Sequence, residues 1–291
     1  MEVGNFLLCA VMGVLGGIGV GVMHATFEHL WYHTLDWLHR GGHIQRLAPQ
    51  IDVTQNQYHK ESFWATAIGP IPVSAAAFYL RHGFISRMQV SSDIVGSLLF
   101  TWTVMVLHDA YFFAVHTLMH YFKSVYKQVH QWHHATHGDL TVFNTAYGDI
   151  LDVTFTFAPF YAAVVAYVYC QPTWNPVDVM FLMWAVNGVD MMGHCGYKLP
   201  PWVYVPGSMG VLLTPLAQRP KHHYIHHLDP RYNRSLYFTW WDRLAGSFRE
   251  DHPKVVNDIS TASNCSSEVQ TSFVCSNSEQ FSKAANDKQF F

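Results

Sequence analysis

Histidines are the residues of this sequence whose spacing could do chemistry. They recur as HTLMH at 116–120, HQWHH at 130–134 and HYIHH at 223–227. Imidazole is a common metal ligand, and helical residues three or four positions apart lie on one face, so each cluster can aim its rings at one point. The three clusters hold eight histidines. One ion takes about four to six ligands, so the clusters predict a site for two metal ions.

Histidine alone does not identify the metal, because zinc, iron, copper and manganese all accept imidazole. Three other interpretations stay open at this point: hydrogen-bonded core histidines, a metal transport or storage patch, and a structural or hydrolytic zinc site. A redox-active metal pair could instead use O2 to remove hydrogen from an unactivated C–H bond, which requires no protein nucleophile. The sequence contains no GxSxG motif, and this fits the redox interpretation.

The composition around the clusters is that of a membrane protein. Half of the 291 residues are hydrophobic, 15% are aromatic and only 13% are charged. A net charge of −3 with no basic block provides no binding surface for nucleic acid. The five cysteines lack CxxC spacing, so neither a disulfide framework nor a thiolate metal site is predicted.

The N-terminal third is predicted to be a membrane and interfacial region, residues 1–93. Asn5 to Met23 is uncharged and long enough for a transmembrane helix; a cleaved signal peptide is the alternative. A glycine at every fourth position, Gly13, Gly17 and Gly21, would let another helix approach closely. Aromatic and basic residues at 28–47 predict a headgroup location for the histidines there. Residues 63–80 contain two prolines and could form a kinked span or a re-entrant pair of half-helices.

The apolar stretch from Ile94 is predicted to cross the membrane and to continue as helix through the first two clusters to His137. Leu151 to Cys170 and Val177 to Met192 are predicted to form a transmembrane hairpin. Because two crossings return the chain to the same side, His194 and the third cluster should meet the first two. The polar residues 250–291 are predicted to be a disordered tail.

The histidine clusters resemble the signature of the fatty acid hydroxylase/sterol desaturase superfamily, integral membrane non-haem di-iron oxygenases. The similarity extends to HDAYFF at 108–113, GHCGYKLP at 193–200 and FTWWDRLAGSF at 238–248. These motifs cover roughly residues 94–249, which the resemblance implies to be the catalytic domain. It implies an all-α integral membrane protein of about four transmembrane helices with a cytosolic, histidine-rich di-metal cap. The implied metal ligands are His116, His120, His130, His133, His134, His194, His223, His226 and His227.

Further residues are candidates for orienting these ligands. Asp109 lies two helical turns before His116, on the same face, and Asp190 and Asp242 are further candidates. The histidines adjoining the patterns, His108, His137 and His222, are expected to orient neighbours or lie at the surface rather than to ligate.

The resemblance also implies a function. Two iron ions (Fe2+/Fe3+), replaceable by zinc in vitro, would use O2 and reductant to hydroxylate, oxidise or desaturate a lipid. Electrons would come from NAD(P)H through cytochrome b5 and its reductase, in the endoplasmic reticulum with the clusters facing the cytosol. The HxGYxxP pattern from His194 to Pro200 favours a sterol substrate, and a fatty acyl or sphingoid substrate is the alternative.

Overall fold

The computed structural model describes residues 3–47, 63–64, 66–68, 71–79, 85–136, 140–200, 214–253 and 255. These residues are mostly helical. The helices are α1 (Val3–Arg40), α2 (Ile71–Tyr79), α3 (Ile94–Tyr121), α4 (Ile150–Cys170), α5 (Pro176–Gly193), α6 (Pro220–Leu228) and α7 (Trp240–Leu244). Two short strands, β1 (Gln45–Arg46) and β2 (Tyr197–Lys198), pair antiparallel, with Arg46 opposite Tyr197.

Three helices of the described chain are long and apolar enough to cross a membrane: Leu7–Arg40 within α1, α3 and α4. This confirms the predicted helical membrane protein, with three such helices where about four were expected. The remaining long helix, α5, has 18 residues and includes Asp178, Asn187 and Asp190. These polar side chains make α5 less apolar than its hairpin partner α4.

Helix α1 is longer than a membrane span. Its 38 residues extend over about 57 Å, against a hydrocarbon core of about 30 Å. The stretch 28–47, predicted to lie in the headgroup region, continues this helix as far as Arg40. Its C-terminal part packs on the cap: Leu35 is buried, and the rings of His29 and Tyr32 lie 5.4 and 5.0 Å from the ring of Phe143.

Gly13, Gly17 and Gly21 of α1 face the following apolar segment. A Cβ atom at Gly17 would lie 2.2 Å from the carbonyl oxygen of Ala67, and one at Gly13 would lie 2.7 Å from the Cβ of Ala75. Only glycine permits such contacts, so the predicted close helix approach is confirmed. Of the proline-containing stretch 63–80, residues 65, 69, 70 and 80 lie outside the described residues.

Helix α3 does not continue to His137 as predicted. It ends at Tyr121, because Phe122 adopts an extended conformation. One α-helical turn (Lys123–Val125), a π-helical turn (Tyr126–His130) and a 3-10 turn (His133–Thr136) follow. These turns fold the second histidine cluster back beside the first. His137 and residues 256–291 of the predicted disordered tail lie outside the described residues. At the start of that tail, predicted from residue 250, Glu250 pairs with Lys221 and Val255 is buried.

The hairpin of α4 and α5 is held at the end remote from the histidine clusters. Arg87 Nη1 donates to the carbonyl oxygens of Tyr169 and Gln171 at 3.0 and 2.9 Å. Asp178 accepts hydrogen bonds from the hydroxyls of Ser97 and Tyr167. Because the far end is fixed in this way, α5 returns to the side from which α4 departed. The predicted helical hairpin is confirmed, but of its two helices only α4 is long and apolar enough to cross a membrane. The crossing by α5 stays a prediction.

Candidate metal centre

Nine histidines form two neighbouring groups at the C-terminal ends of α3 and α5. The first group is His116, His120, His130, His134 and His226; the second is His133, His194, His223 and His227. Within each group the candidate ligand atoms all lie within 4.8 Å of one another. All nine side chains are buried except those of His120 and His133, which are half-buried. The structure therefore brings together every histidine that the sequence identifies as a candidate ligand.

The spacing of the Nε2 atoms fits coordination of one cation per group. In the first group, Nε2 of His116 lies 2.9 Å from that of His130 and 3.1 Å from that of His226. In the second group, Nε2 of His194 lies 2.9 Å from that of His223. Metal–nitrogen bonds of about 2.1 Å would place neighbouring ligands of an octahedral site about 3.0 Å apart. The imidazoles are thus spaced as neighbouring ligands around an ion.

The protonation pattern of the imidazoles also favours binding of a cation between the rings. His116 Nδ1 lies 2.7 Å from the carbonyl oxygen of Arg234, and His226 Nδ1 lies 2.8 Å from that of Tyr232. A carbonyl only accepts, so each Nδ1 carries the proton and each Nε2 of the neutral ring carries a lone pair. Two lone pairs then face each other across 3.1 Å. A bound cation turns this repulsion into attraction.

The second group contains an equivalent pair. His133 and His194 donate from Nδ1 to the carbonyl oxygens of Tyr147 and Asp190, at 3.1 and 2.9 Å. Their Nε2 atoms are 3.2 Å apart, again with no proton between them when both rings are neutral. Both groups therefore fit a metal ion by the chemistry of their donor atoms.

Burial keeps these rings neutral at physiological pH. Loss of hydration lowers the pKa of His133 to about 4 and that of His194 to about 3. Burial also lowers the pKa values of His134, His223 and His227 well below the usual value of 6.5. Because only a neutral imidazole has a free lone pair, these shifts prepare the rings to bind a metal.

Asp152 contacts a candidate ligand directly and is not among the residues that the sequence singles out. Its Oδ2 lies 2.7 Å from Nδ1 of His130, and both side chains are buried. Asp152 lies in the first turn of α4, where an acidic residue is common simply because it stabilises the helix dipole. The sequence signal for its role is therefore weak, and the contact appears only once α4 is placed beside the second cluster.

The three predicted aspartates lie at different distances from the histidines. Asp190 is adjacent to His194: its carbonyl accepts from Nδ1, and its Oδ1 is 3.5 Å away. Asp109 accepts the backbone N–H groups of Leu236 and Tyr237 at 2.9 and 2.8 Å.

Asp242 likewise binds backbone, accepting the N–H groups of Arg234 and Ser235, both at 2.9 Å. Asp109 and Asp242 thus hold the chain segment whose Arg234 carbonyl orients His116, rather than an imidazole itself.

Two of the adjoining histidines are hydrogen bonded outside both groups. His108 Nδ1 lies 2.9 Å from the Tyr237 hydroxyl, and its Nε2 lies 2.8 Å from the carbonyl oxygen of Thr156. His222 accepts the backbone N–H of Arg219 at Nδ1 and pairs with Glu250 at Nε2, at 3.1 and 3.2 Å. His222 therefore stabilises the start of α6.

Comparison with known proteins accounts for this arrangement. The model of the fatty acid hydroxylase family matches residues 101–247, just over half of the chain. The chain belongs to the fatty acid hydroxylase family. The matched region includes all nine grouped histidines together with Asp109, Asp152, Asp190 and Asp242. No solved structure matches the chain.

Curated relatives of this fatty acid hydroxylase family member have lipid-modifying names. Methylsterol monooxygenase 1 of Rattus norvegicus is 27% identical over 50% of this chain and 45% of its own. The cholesterol 25-hydroxylase-like protein of Danio rerio is 26% identical over 60% of this chain and 65% of its own. The sphingolipid C4-hydroxylase sur2 of Schizosaccharomyces pombe is 26% identical over 48% of this chain and 44% of its own. The chain spans between two fifths and two thirds of the length of these relatives.

Proposed function

We propose that this chain is a membrane-bound oxygenase that holds two iron ions and oxidises a C–H bond of a lipid. One observation carries this proposal: the two histidine groups, one of five residues and one of four, lie at the end of α3, a helix long and apolar enough to span the membrane. Metals held there would lie beside the bilayer, within reach of a lipid whose hydrocarbon remains in the membrane. A chain that binds zinc only for structure does not require this juxtaposition.

The chain's residues have distinct roles in this proposal. His116, His120, His130, His134 and His226 would hold one ion, and His133, His194, His223 and His227 the other. When bound, iron supplies the activation of O2 that no amino-acid side chain can supply. Asp152 would orient His130, and Asp190 would orient His194. Asp109 and Asp242 would act indirectly, by fixing the backbone that receives His116.

The overall reaction requires an external reductant. Hydroxylation inserts one atom of O2 into a C–H bond and reduces the other to water, consuming two electrons and two protons. Desaturation removes two hydrogen atoms and reduces O2 to two water molecules, with the same consumption. We propose that NAD(P)H supplies the electrons through cytochrome b5 and its reductase. The corresponding location is the endoplasmic reticulum, with the histidine groups facing the cytosol.

We propose a sterol as the substrate. Two of the relatives above are named for sterols, as a methylsterol monooxygenase and as a cholesterol 25-hydroxylase-like protein. The HxGYxxP pattern at 194–200, within the matched region, supports the same choice. A sphingoid or fatty acyl substrate is the second candidate, supported by the similarity to a sphingolipid C4-hydroxylase.

Expression in a sterol-making host tests this proposal. The wild type, His133→Ala and the control His43→Ala are compared by mass spectrometry of total sterols, sphingoid bases and acyl chains. His43 is exposed and lies outside both groups, so its loss should leave the product unchanged. A new sterol that is present with the wild type and His43→Ala, and absent with His133→Ala, supports the proposal. The mass difference distinguishes hydroxylation from desaturation.

Other outcomes separate the alternatives. A change confined to sphingoid bases or acyl chains would assign the second substrate class. A product that persists in His133→Ala would contradict the metal assignment. A product that forms equally without O2 would contradict the oxygenase and favour a zinc-dependent hydrolase, since hydrolysis needs neither O2 nor reductant.

A further inference from the structure

The chain beyond the third histidine cluster runs along α3 away from the metal centre. The carbonyl oxygen of Arg234 accepts a hydrogen bond from His116. Further along the chain, the N–H groups of Leu236 and Tyr237 donate to Asp109. The helical rise places Asp109 about 10 Å from His116 along α3. The segment therefore descends along a helix that is long and apolar enough to span the membrane.

Aromatic contacts continue this descent. The ring of Phe238 lies 6.2 Å from that of Trp102 on α3, and Trp240 stacks on Phe238 at 4.4 Å. Trp102 is about 21 Å from His116 along the helix. The chain then returns toward the metal centre in α7, since Asp242 accepts hydrogen bonds from the Arg234 and Ser235 backbone.

A second stretch accompanies the descending one. Gln218 N donates to the carbonyl oxygen of Tyr237 at 2.8 Å, and Thr239 N donates to that of Leu216 at 2.6 Å. We refer to residues 214–218 and 236–244 together as the re-entrant hairpin. It touches α3 on one side and carries exposed side chains on the other.

Several backbone N–H groups of this hairpin have hydrogen-bond partners within the protein. The carboxylate of Asp109, fully buried, accepts three consecutive N–H groups, from Leu236, Tyr237 and Phe238. Non-helical backbone is tolerated at membrane depth only where the protein itself supplies such partners. Asp109 thus lowers the energetic cost of placing the 236–238 backbone in hydrocarbon.

The outer surface of the hairpin has the composition of a membrane interface. Leu244 is 80% exposed and Leu216 is 41% exposed, whereas Trp240 and Trp241 are half-buried. Arg243, next to Leu244, is exposed. Tryptophan, leucine and a basic residue together are typical of segments at the boundary between acyl chains and headgroups. Exposure of Leu216 and Leu244 to water would be unfavourable, whereas contact with acyl chains would bury their apolar surface.

We propose that the re-entrant hairpin is inserted into the bilayer beside α3, with Leu216, Trp240 and Leu244 against lipid acyl chains. The hairpin then extends the lipid-facing surface of α3, so the cap is partly embedded rather than carried only on the spanning helices. This membrane contact depends on no metal and no turnover, and it stands apart from the proposed oxygenase activity.

Depth-dependent fluorescence quenching tests the insertion. Leu244→Cys is labelled with an environment-sensitive fluorophore in a chain whose native cysteines are replaced by serine, and the protein is reconstituted in phosphatidylcholine vesicles. Leu99→Cys, at a 65% exposed position of α3, is the lipid-facing control, and Arg231→Cys, at an exposed position of the cap, is the water-facing control. Spin-labelled phospholipid should quench the labels at 244 and 99, while aqueous iodide should quench the label at 231.

If the label at 244 is quenched by iodide and not by spin-labelled phospholipid, as the label at 231 should be, the proposal is overturned. A label at 244 that neither quencher reaches would also overturn it, because this result indicates cover by protein. If the cysteine-free chain does not fold, a photo-crosslinking phenylalanine analogue replaces Leu244 in the otherwise native protein, with Arg231 as the control position. Phospholipid adducts should form at 244 and not at 231. Their absence at 244 would again overturn the proposal.

Discussion

His226 and His227 are consecutive residues of α6, yet their imidazoles belong to different groups. Nε2 of His226 lies 3.1 Å from that of His116, whereas Nε2 of His227 lies 3.2 Å from that of His223. Successive helical residues point about 100° apart, so a single turn of α6 contributes to both groups. His133 and His134 diverge in the same way. The proposed two metals are thus held in a fixed relation by single backbone segments.

Replacement of either histidine should therefore affect one metal more than the other. We expect His226→Ala and His227→Ala each to retain about half of the iron of the wild type, because each removes one ligand from one group. Mass spectrometric metal analysis of the purified proteins measures the iron-to-protein ratio. His43→Ala is the control and should keep the full content. A variant with unchanged iron would contradict the assignment of that histidine to a metal.

Asp152 should strengthen metal binding through His130. Its Oδ2 lies 2.7 Å from Nδ1 of His130 and accepts the Nδ1 proton. This hydrogen bond fixes the orientation of the ring and increases the basicity of Nε2. We expect Asp152→Asn to weaken metal retention about 10- to 100-fold, measured by competition with a chelator.

Asp149→Asn is the matched control for this measurement. Asp149 caps the same helix by accepting the Leu151 N–H, so the substitution removes an equal charge nearby without touching a histidine. Asparagine also caps helices well. Equal metal retention in Asp152→Asn and the wild type would show that the contact has no such role.

The candidate ligands could be identified from the sequence because their spacing is local. HTLMH lies within one helix, α3, and HYIHH within another, α6, so helical periodicity alone brings the members of each cluster together. The helical hairpin of α4 and α5 follows from two apolar stretches that are separated by a short proline-containing turn. These features depend on short-range geometry and hydrophobicity, which the sequence states directly.

The remaining features depend on packing between distant segments. The distribution of His133 and His134 between two groups follows from the π-helical and 3-10 turns around them, which a regular helix from Val104 to His137 does not anticipate. The contact of Asp152 with His130 requires α4 to begin beside the second cluster. The part of α1 beyond the membrane is equally hidden, because its mixed composition suits an interface as well as a helix.

The metal-depleted protein should lose stability as the pH falls. Burial lowers the pKa of His133 to about 4 and that of His194 to about 3, from 6.5 in an exposed histidine. Between pH 6.5 and these values, the unfolded chain binds more protons than the folded chain. The free energy of unfolding therefore decreases from pH 6.5 downward and is insensitive to these groups above it.

Thermal unfolding of chelator-treated protein in detergent measures this effect. We expect the midpoint to be constant between pH 7 and 8 and to fall steadily between pH 6 and pH 4. His194→Asn, which cannot titrate in this range, should show a smaller decrease over the same interval. A midpoint that rises on acidification would contradict neutral, buried histidines in the metal-free fold.

Asp109 should matter more for stability than for metal binding. Its carboxylate accepts three backbone N–H groups of the re-entrant hairpin, and it reaches His116 only through the chain to Arg234. Each buried N–H left without a partner costs about 1–3 kcal/mol, so Asp109→Ala should destabilise the protein by at least about 3 kcal/mol. For a chain of this size the unfolding midpoint should fall by about 6 °C or more.

Asp109→Asn should fall between alanine and the wild type, because its amide oxygen can still accept some of these bonds. Thr103→Ala is the control: its exposed hydroxyl bonds only the preceding turn of the same helix, and its loss should leave the midpoint nearly unchanged. The folded fraction of Asp109→Ala should keep most of its iron, since both histidine groups remain complete. If Asp109→Ala instead lost its metal without losing stability, Asp109 would act on the ligands themselves rather than on the backbone beneath them.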